Sequence, residues 1–383
     1  MPWTALYKRM NQCYNDPTNA KTFLRTEITN GRMNEAKGND ILAATIKEVA
    51  LRAGVTIGTV SRAFNGYSDI KPETKERIVN AARELNYTPN VSARSLSAKK
   101  PPNIGLIISG LLEGDSRDNG VYLILQGVFE YALSSRLEVA LYTTDSKEQR
   151  SRTYTQFCKE HSLSGAILSG ITTDDVYLAE LIDSKIPSVA IDVPIISKTA
   201  GWVSVDNTAA AKEMARYLIA KGHQHIMVVG GKMNAAVNMA RMSGVQAAFE
   251  EAGIPLTEDR VLHCDFSEDI AYKKIRAYLA SHGKGHATAL MCFSDIMALG
   301  AMRAVRDSGY SVPDDFSITG FDGLAICEFT IPSLTTVSQN MRQIGYESVA
   351  LLHEMMQGSA QSCHRVLSHR LVERLSVKPY TGG

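Results

Sequence analysis

No apolar run in the chain approaches the roughly 18 consecutive residues of a membrane-spanning helix, so a bilayer span of that kind is excluded. The opening Met1-Pro2-Trp3-Thr4-Ala5-Leu6-Tyr7 gives way to charged and polar residues, without a sustained apolar core and small-residue cleavage site. No secretory signal is read from it, and a cytoplasmic protein is expected. Cysteine is sparse and scattered: Cys13, Cys158, Cys264, Cys292, Cys327 and Cys363 include no C-x-x-C pair. Reduced thiols are the expectation, not a disulfide framework or a zinc ribbon. His223 and His225 form an H-x-H with no third ligand implied nearby, and read as a turn before the strand at Ile226. The catalytic motifs are missing as well. There is no G-x-S-x-G, no H-E-x-x-H and no convincing triad spacing. Gly230-Gly231-Lys232 has neither dinucleotide nor Walker spacing and reads as a tight strand-to-helix turn. No enzyme, metal or cofactor is therefore expected.

A surplus of one charge is lacking too, since the net charge is only +1. Its distribution is uneven. Residues 44–100 hold ten Lys/Arg against five Asp/Glu, a net of +5. Residues 1–43 hold six bases and four acids, a net of +2, which leaves −6 for the remainder. A basic segment ahead of an acidic body is the footprint of a phosphate-binding module. With 383 residues, 44% hydrophobic and 21% charged, the chain is a globular protein of two or three domains.

Local structure signals are dense from residue 45. Thr45-Ile46-Lys47-Glu48 is a T-x-x-E capping box. Ile46, Val49 and Ala50 recur at helical spacing, and Gly54 ends that helix. Thr56 can cap a second helix from Ile57 to Phe64, followed by the turn Asn65-Gly66. Pro72 stands at the first turn of a third helix running from Glu73 to Leu85. A helix-turn-helix domain is predicted, with a small core of Ile46, Val49, Ala50, Val55, Val60, Ala63, Ile78 and Leu85. The exposed face of the second helix would meet DNA through Ile57, Gly58, Thr59, Ser61 and Arg62.

The run from Thr45 to Asn65 resembles the headpiece of the lactose/galactose-repressor family, with its "T-x-x-D/E-V-A…A-G-V-S…T-V-S-R-x-x-N" signature. Thr56 stands where serine is more usual, and both residues cap. The resemblance implies base reading at Ile57 and Gly58, with Arg62 also reaching base edges, and Thr59 and Ser61 on phosphates. Thr56 and Asn65 belong to the same interface. It also identifies residues 90–102 as a hinge helix and linker ending in Pro101-Pro102. Such a helix implies Asn90 and Arg94 at the backbone or groove floor and Leu96 as a wedge between central base pairs.

Beyond residue 103 the pattern changes. Ile104–Ile108, Val139–Tyr142, Ala166–Leu168, Ser188–Ile191, Val203–Val205, Ile226–Val229, Ala289–Phe293 and Ser317–Thr319 are short apolar runs. Helical stretches such as Val121–Ser134 and Ser151–His161 separate them. Parallel sheets with helical crossovers follow from that alternation. Ligands bind beyond the carboxyl ends of such strands, where Asp192, Asp206, Ser294 and Asp322 stand.

The family resemblance continues through Arg241-Met242-Ser243-Gly244, Ser294-Asp295-Ile296-Met297-Ala298, Gly320-Phe321-Asp322-Gly323, Pro332-Ser333-Leu334-Thr335-Thr336-Val337 and Leu371-Val372-Glu373-Arg374-Leu375-Ser376. It implies an α/β fold: a helix-turn-helix headpiece and hinge helix, then a periplasmic-binding-protein-like effector domain of two doubly wound parallel-sheet subdomains. Arg241 and Asp322 would bond the hydroxyls of a sugar effector, with Asp192 and Gln339 at further pocket positions. Phe266 falls where sugar binders stack an aromatic, and it serves equally as a core residue. Ser294 replaces the family's usual Asn, which alters the pocket chemistry.

The expected domains are an unmatched extension over 1–43, the headpiece over 44–89, the hinge over 90–102 and the effector and dimerisation domain over 103–383. Met33 sits at a spacing typical of a start site, and no leucine-heptad tail follows Pro379. A homodimer on palindromic operator DNA, acting as a transcriptional regulator, is the resulting expectation. A small ligand would bias the dimer between two states, by induction or by co-repression. A purine-type co-repressor is a variant of this reading. A secreted sugar-binding protein and an α/β enzyme with an accessory domain are the rivals from other classes.

Overall fold

The computed structural model describes residues 45–64, 70–85, 87, 102–110, 120–195, 197–284 and 286–381. The chain divides into two units, one within residues 30–101 and the other containing residues 102–383.

In the first unit, helices α1 (Ile46–Ala53), α2 (Ile57–Phe64) and α3 (Pro72–Glu84) enclose one small core. The capping box forms: Glu48 N–H donates to Thr45 Oγ1 at 3.4 Å, and Thr45 N–H donates to Glu48 Oε2 at 2.6 Å. Gly54 takes φ +64°, the left-handed conformation that ends α1 without a Cβ penalty. Val49, Ala50, Ala53, Val60, Ala63, Ile78, Ala81 and Ala82 are buried. Ile46, Val55 and Leu85 pack at the margin of that core, not at its centre. Small alanines at the crossings let three short helices approach closely.

The second unit holds two six-stranded sheets. The first contains β1 (Asn103–Ser109), β2 (Glu138–Thr144), β3 (Gly165–Ser169), β4 (Ser188–Ile191), β5 (Ala200–Val205) and β11 (His364–Leu367), in the order β11-β5-β4-β3-β1-β2. The second contains β6 (Ile226–Gly230), β7 (Val261–His263), β8 (Ala289–Cys292), β9 (Ser317–Asp322), β10 (Thr335–Ser338) and β12 (Arg370–Val372), in the order β12-β10-β9-β8-β6-β7. Neighbouring strands are parallel except β10 and β12. Each sheet is doubly wound in the same sense, with its switch point beside β1 or β6. The strands β3, β4, β6 and β8 are buried along their whole length, as expected of parallel strands covered on both faces.

The first sheet carries α4 (Gly120–Ser135), α5 (Ser146–Ser151), α6 (Tyr154–Glu160) and α7 (Val176–Leu181). The second carries α8 (Asn207–Ala220), α9 (Ala236–Glu251), α10 (Glu268–His282), α11 (Asp295–Asp307) and α12 (Ile326–Phe329). The long helix α13 (Met341–Gln357) follows a strand of the second sheet but packs against the first, with Ile344, Val349, Leu351 and Leu352 in that core. The chain thus passes between the two lobes three times: after β5, between β10 and α13, and between β11 and β12.

The helix expected over 151–161 starts three residues late, at Tyr154, because Thr153-Tyr154-Thr155-Gln156 is a capping box; a separate helix ends at Ser151. Gln156 N–H donates to Thr153 Oγ1 at 3.1 Å, and Thr153 N–H donates to Gln156 Oε1 at 3.0 Å. Among the described residues, no helix is long and apolar enough to cross a membrane.

Candidate functional site

Two regions gather the candidate residues. In the headpiece, Thr56 Oγ1 accepts from Thr59 N–H at 3.2 Å and bonds the Thr59 hydroxyl at 2.9 Å, so this pair starts α2. Past it, Ile57 is 44% exposed although it is a large aliphatic residue. Gly58 and Arg62 are exposed and Ser61 is half-buried, so α2 turns these side chains toward solvent. A Cβ built on Gly58 would meet nothing closer than Thr56 Oγ1 at 3.7 Å, so packing does not demand the glycine. Asn65, Asn90, Arg94 and Leu96 lie outside the described residues, as do the hinge and residues 1–43.

In the body, the candidates converge at the carboxyl ends of the strands. Arg241, on α9, is 3% exposed. Its Nε donates to Asn207 Oδ1 at 2.8 Å, and Nη1 donates to the Phe293 carbonyl. Nη1 lies 3.9 Å from Asp322 Oδ1, and the guanidinium sits 3.7 Å above the Phe321 ring. Gln339 joins the group by donating from Nε2 to Asp322 Oδ1 at 2.6 Å. Gln339 is 1% exposed, and its Oε1 has no hydrogen-bond partner, so it points to a missing donor. Asp192 accepts from the Ser204 hydroxyl. Asn207 Nδ2 donates to that same hydroxyl oxygen at 3.1 Å, which links Asp192 to Arg241 through two side chains.

Burial pushes the Arg241 pKa down, and Asp322, Asp192 and Asp295 oppose it. Burial pushes Asp192 up, against the Ser204 bond and the Arg241 charge. One guanidinium among three carboxylates is therefore held charged by its neighbours.

Ser294 is buried at the start of α11. Its Oγ accepts from Met297 N–H at 3.1 Å and caps α11. Phe266 is half-buried and packs against the second lobe's core. Its ring tip would lie 2.1 Å from any Cβ at residue 231, so Gly231 is required by this aromatic and not by a phosphate. The switch-point turn is held instead by Asn238, whose Oδ1 accepts from Gly231 N–H at 2.8 Å. Asp206 is the N-cap of α8, accepting from Ala209 N–H at 2.8 Å.

Five non-glycine residues at or just past strand ends take positive φ: Asp192 (63°), Asp265 (52°), Phe266 (60°), Asp322 (126°) and Asn340 (52°). Such strain concentrates where side chains must be aimed at a ligand. Beside Asp322, a cavity of about 360 Å³ is lined at the crossovers by Ser338, Asn340, Met341, His369 and Arg370, among others.

Sequence reasoning missed Asn207, Asn238, Phe321 and Gln149. Gln149 is 1% exposed and reaches Ser109 Oγ at 3.4 Å, at the end of β1. Asn207 alone carries a local signal, a polar residue close behind an apolar strand.

The description of bacterial regulatory proteins of the lacI family matches residues 45–90. That of a periplasmic binding protein-like domain matches residues 215–377. The HTH-type transcriptional regulator MalR of Clostridium butyricum is 31% identical over 344 residues, 86% of this chain and 98% of that protein. The Lac repressor dimer bound to operator and the anti-inducer ONPF superposes with a TM-score of 0.69 at 27% identity, covering 88% of this chain and 100% of that one. The transcriptional regulator CelR in complex with cellobiose gives a TM-score of 0.66 at 26% identity, covering 87% of this chain and 99% of that one.

Proposed function

This chain belongs to the lacI family of bacterial regulatory proteins, and on that premise we propose that it is a sequence-specific repressor whose operator affinity is set by a sugar. In this reading residues 44–89 bind DNA, 90–102 form the hinge, and 103–383 bind the effector and dimerise. The protein works by binding alone, without catalysis.

The observation that carries the sugar reading is the Arg241–Asp322–Gln339 group at the strand ends, with Asp192 linked to it through Ser204 and Asn207. Carboxylates and a planar guanidinium can each engage vicinal hydroxyls, and the unsatisfied Gln339 Oε1 offers a further acceptor. A CelR structure holding cellobiose on the same fold supports this class of ligand. The half-buried aromatic ring of Phe266, just past β7, favours a second reading, a purine-type co-repressor stacked on that ring.

For DNA, Ile57 and Arg62 on the exposed face of α2 supply apolar and guanidinium contacts to base edges. For the dimer, Tyr122 (60% exposed), Phe129 (41%) and Leu133 (80%) fall on one face of α4 at spacings of seven and four. A second copy of the chain is the occupant proposed for this face, in keeping with the operator-bound Lac repressor dimer.

The test is selection from a randomised duplex library at fixed salt, followed by thermal-shift screening of sugars and purines. A selected palindrome and a sugar that shifts both unfolding and operator affinity are expected. A folded dimer that enriches no sequence would sink the DNA reading, and a response to purines alone would replace the sugar.

A further inference from the structure

The crossovers join the lobes along one side of the cleft, but the lobes also meet on the other. There the loop after β3 touches the loop after β6. Thr173 N–H donates to the Asn234 carbonyl at 2.9 Å, and Thr173 Oγ1 donates to the same carbonyl at 3.0 Å. Asn234 Nδ2 donates to Asp174 Oδ1 at 2.7 Å. Asp174 is itself fixed by Thr172 Oγ1, which donates to Oδ1 at 2.7 Å. Ala236, at the start of α9, packs into the apolar core of the first lobe.

Sheet order places these contacts away from the hinge. β3 lies two strands from β5, and β6 lies three strands from β10. At about 4.8 Å per strand, the contact stands roughly 10–14 Å from the crossovers. The second loop leads into the site, since Gly231 opens it and Arg241 lies on the helix that follows. Direct bonds at 2.7–3.0 Å leave no gap between residues 173–174 and 234 through which a ligand could protrude.

We propose that Asp174 and Asn234 form a clasp that sets the size of the effector: it closes over a single sugar ring and excludes a ligand whose second ring must pass the mouth. This rests on the sugar reading of the same cleft. The pair touches no position assigned to effector hydroxyls, so it acts on closure and not on ring recognition.

The test uses the full-length dimer and Asn234→Asp, which sets carboxylate against carboxylate. The exchanged pair Asp174→Asn/Asn234→Asp restores an amide–carboxylate bond in reverse. Calorimetry with glucose, galactose, ribose and fructose, and with cellobiose, lactose and maltose, reads affinity. Hydrogen exchange of the Thr173 amide reads closure without any ligand. The wild type is expected to bind a monosaccharide and no disaccharide. Asn234→Asp should weaken that monosaccharide about three- to tenfold, the scale of one ordinary hydrogen bond, and speed Thr173 exchange, while the exchanged pair recovers both. Wild-type binding of disaccharides as tightly as monosaccharides overturns the size limit and leaves the sugar reading standing. Unchanged Thr173 exchange in Asn234→Asp overturns the clasp. Binding of neither class of sugar sinks the sugar reading, and this inference with it.

Discussion

Asp295 has no exposed surface, yet it carries a carboxylate. Its Oδ2 accepts from Leu324 N–H at 2.8 Å and its Oδ1 from the Thr336 hydroxyl at 2.6 Å, which ties the turn after Asp322 to β10. Burial pushes its pKa up to about 6, against these bonds. The folded state therefore keeps a proton that the unfolded state loses near 3.8. The resulting stabilisation is full below the unfolded value and is lost as pH rises toward 6. It amounts to about 3 kcal/mol at most. His223 works the other way. It is 2% exposed, bonded to Thr288 Oγ1 and the Lys378 carbonyl, and burial lowers its pKa. Its contribution is present above pH 6.5 and fades on acidification. Because the two oppose each other, the raw pH profile of the wild type does not isolate either. Thermal unfolding of Asp295→Asn beside the wild type, at pH 7.5 and 5.0, does. The wild type should gain on the variant as pH falls, and parallel profiles would remove Asp295 from this role.

At the scale of elements, glycines in helices make opposite predictions from the same substitution. Gly127 and Gly345 sit where α4 and α13 cross. A Cβ on Gly127 would lie 1.8 Å from the Arg342 carbonyl oxygen, and one on Gly345 would lie 2.1 Å from that of Ile124. Backbone cannot yield as a side chain can, so Gly127→Ala should cost about 3 kcal/mol or more, read as a lower denaturant midpoint. Gly58, in α2, has free space, and Gly58→Ala should stabilise the headpiece by up to about 1 kcal/mol through helix propensity. It should also change the selected operator sequence, since the new methyl sits on the face that bears Ile57. An unaltered selection would place base reading elsewhere.

These cases also mark what the sequence made legible. Caps at Thr45 and Gly54 and the apolar strands were readable because their causes are local: a side chain bonding three residues away, or a run buried on both faces. Arg241, Asp322 and Gln339 came from a resemblance, and the structure brings them together. Asn207 stayed hidden because its partners, Ser204 and Arg241, are joined by the first crossover and a helix pairing, which no local pattern encodes. The late start at Tyr154 was missed for a different reason, since the capping box at Thr153 was not read. Ser294 shows a third limit: its residue type marked a pocket position, and its second task, accepting from Met297 N–H as a helix cap, was not read.

At the scale of the molecule, the crossovers decide how the cleft communicates. Gln339 precedes Asn340, the N-cap of α13, so a ligand that draws on Gln339 acts on the first residues of that helix. α13 is locked to α4 by the mutual glycine contact. A further tie is Arg342 Nε, which donates to Glu130 Oε2 at 2.9 Å. α4 in turn carries Tyr122, Phe129 and Leu133, the face proposed to meet a second copy. The proposed site, the crossover and the proposed dimer face thus form one packed line, along which a shift of α13 would press on α4. Leu133 is the sharpest probe of its far end, because at 80% exposure it supports nothing within its own chain. Leu133→Asp should leave the unfolding free energy of the monomer, read at protein concentrations too low for dimers, within about 0.5 kcal/mol of wild type. It should weaken the dimer more than tenfold, since burying a leucine is worth about 1.5–3 kcal/mol and tenfold needs about 1.4. Sedimentation equilibrium reads that change directly. Operator affinity should fall with it, because a monomer engages one half-site only. A variant that stays dimeric at the same concentration would place the interface on another surface, and the line from effector to DNA would then have to leave α4 out.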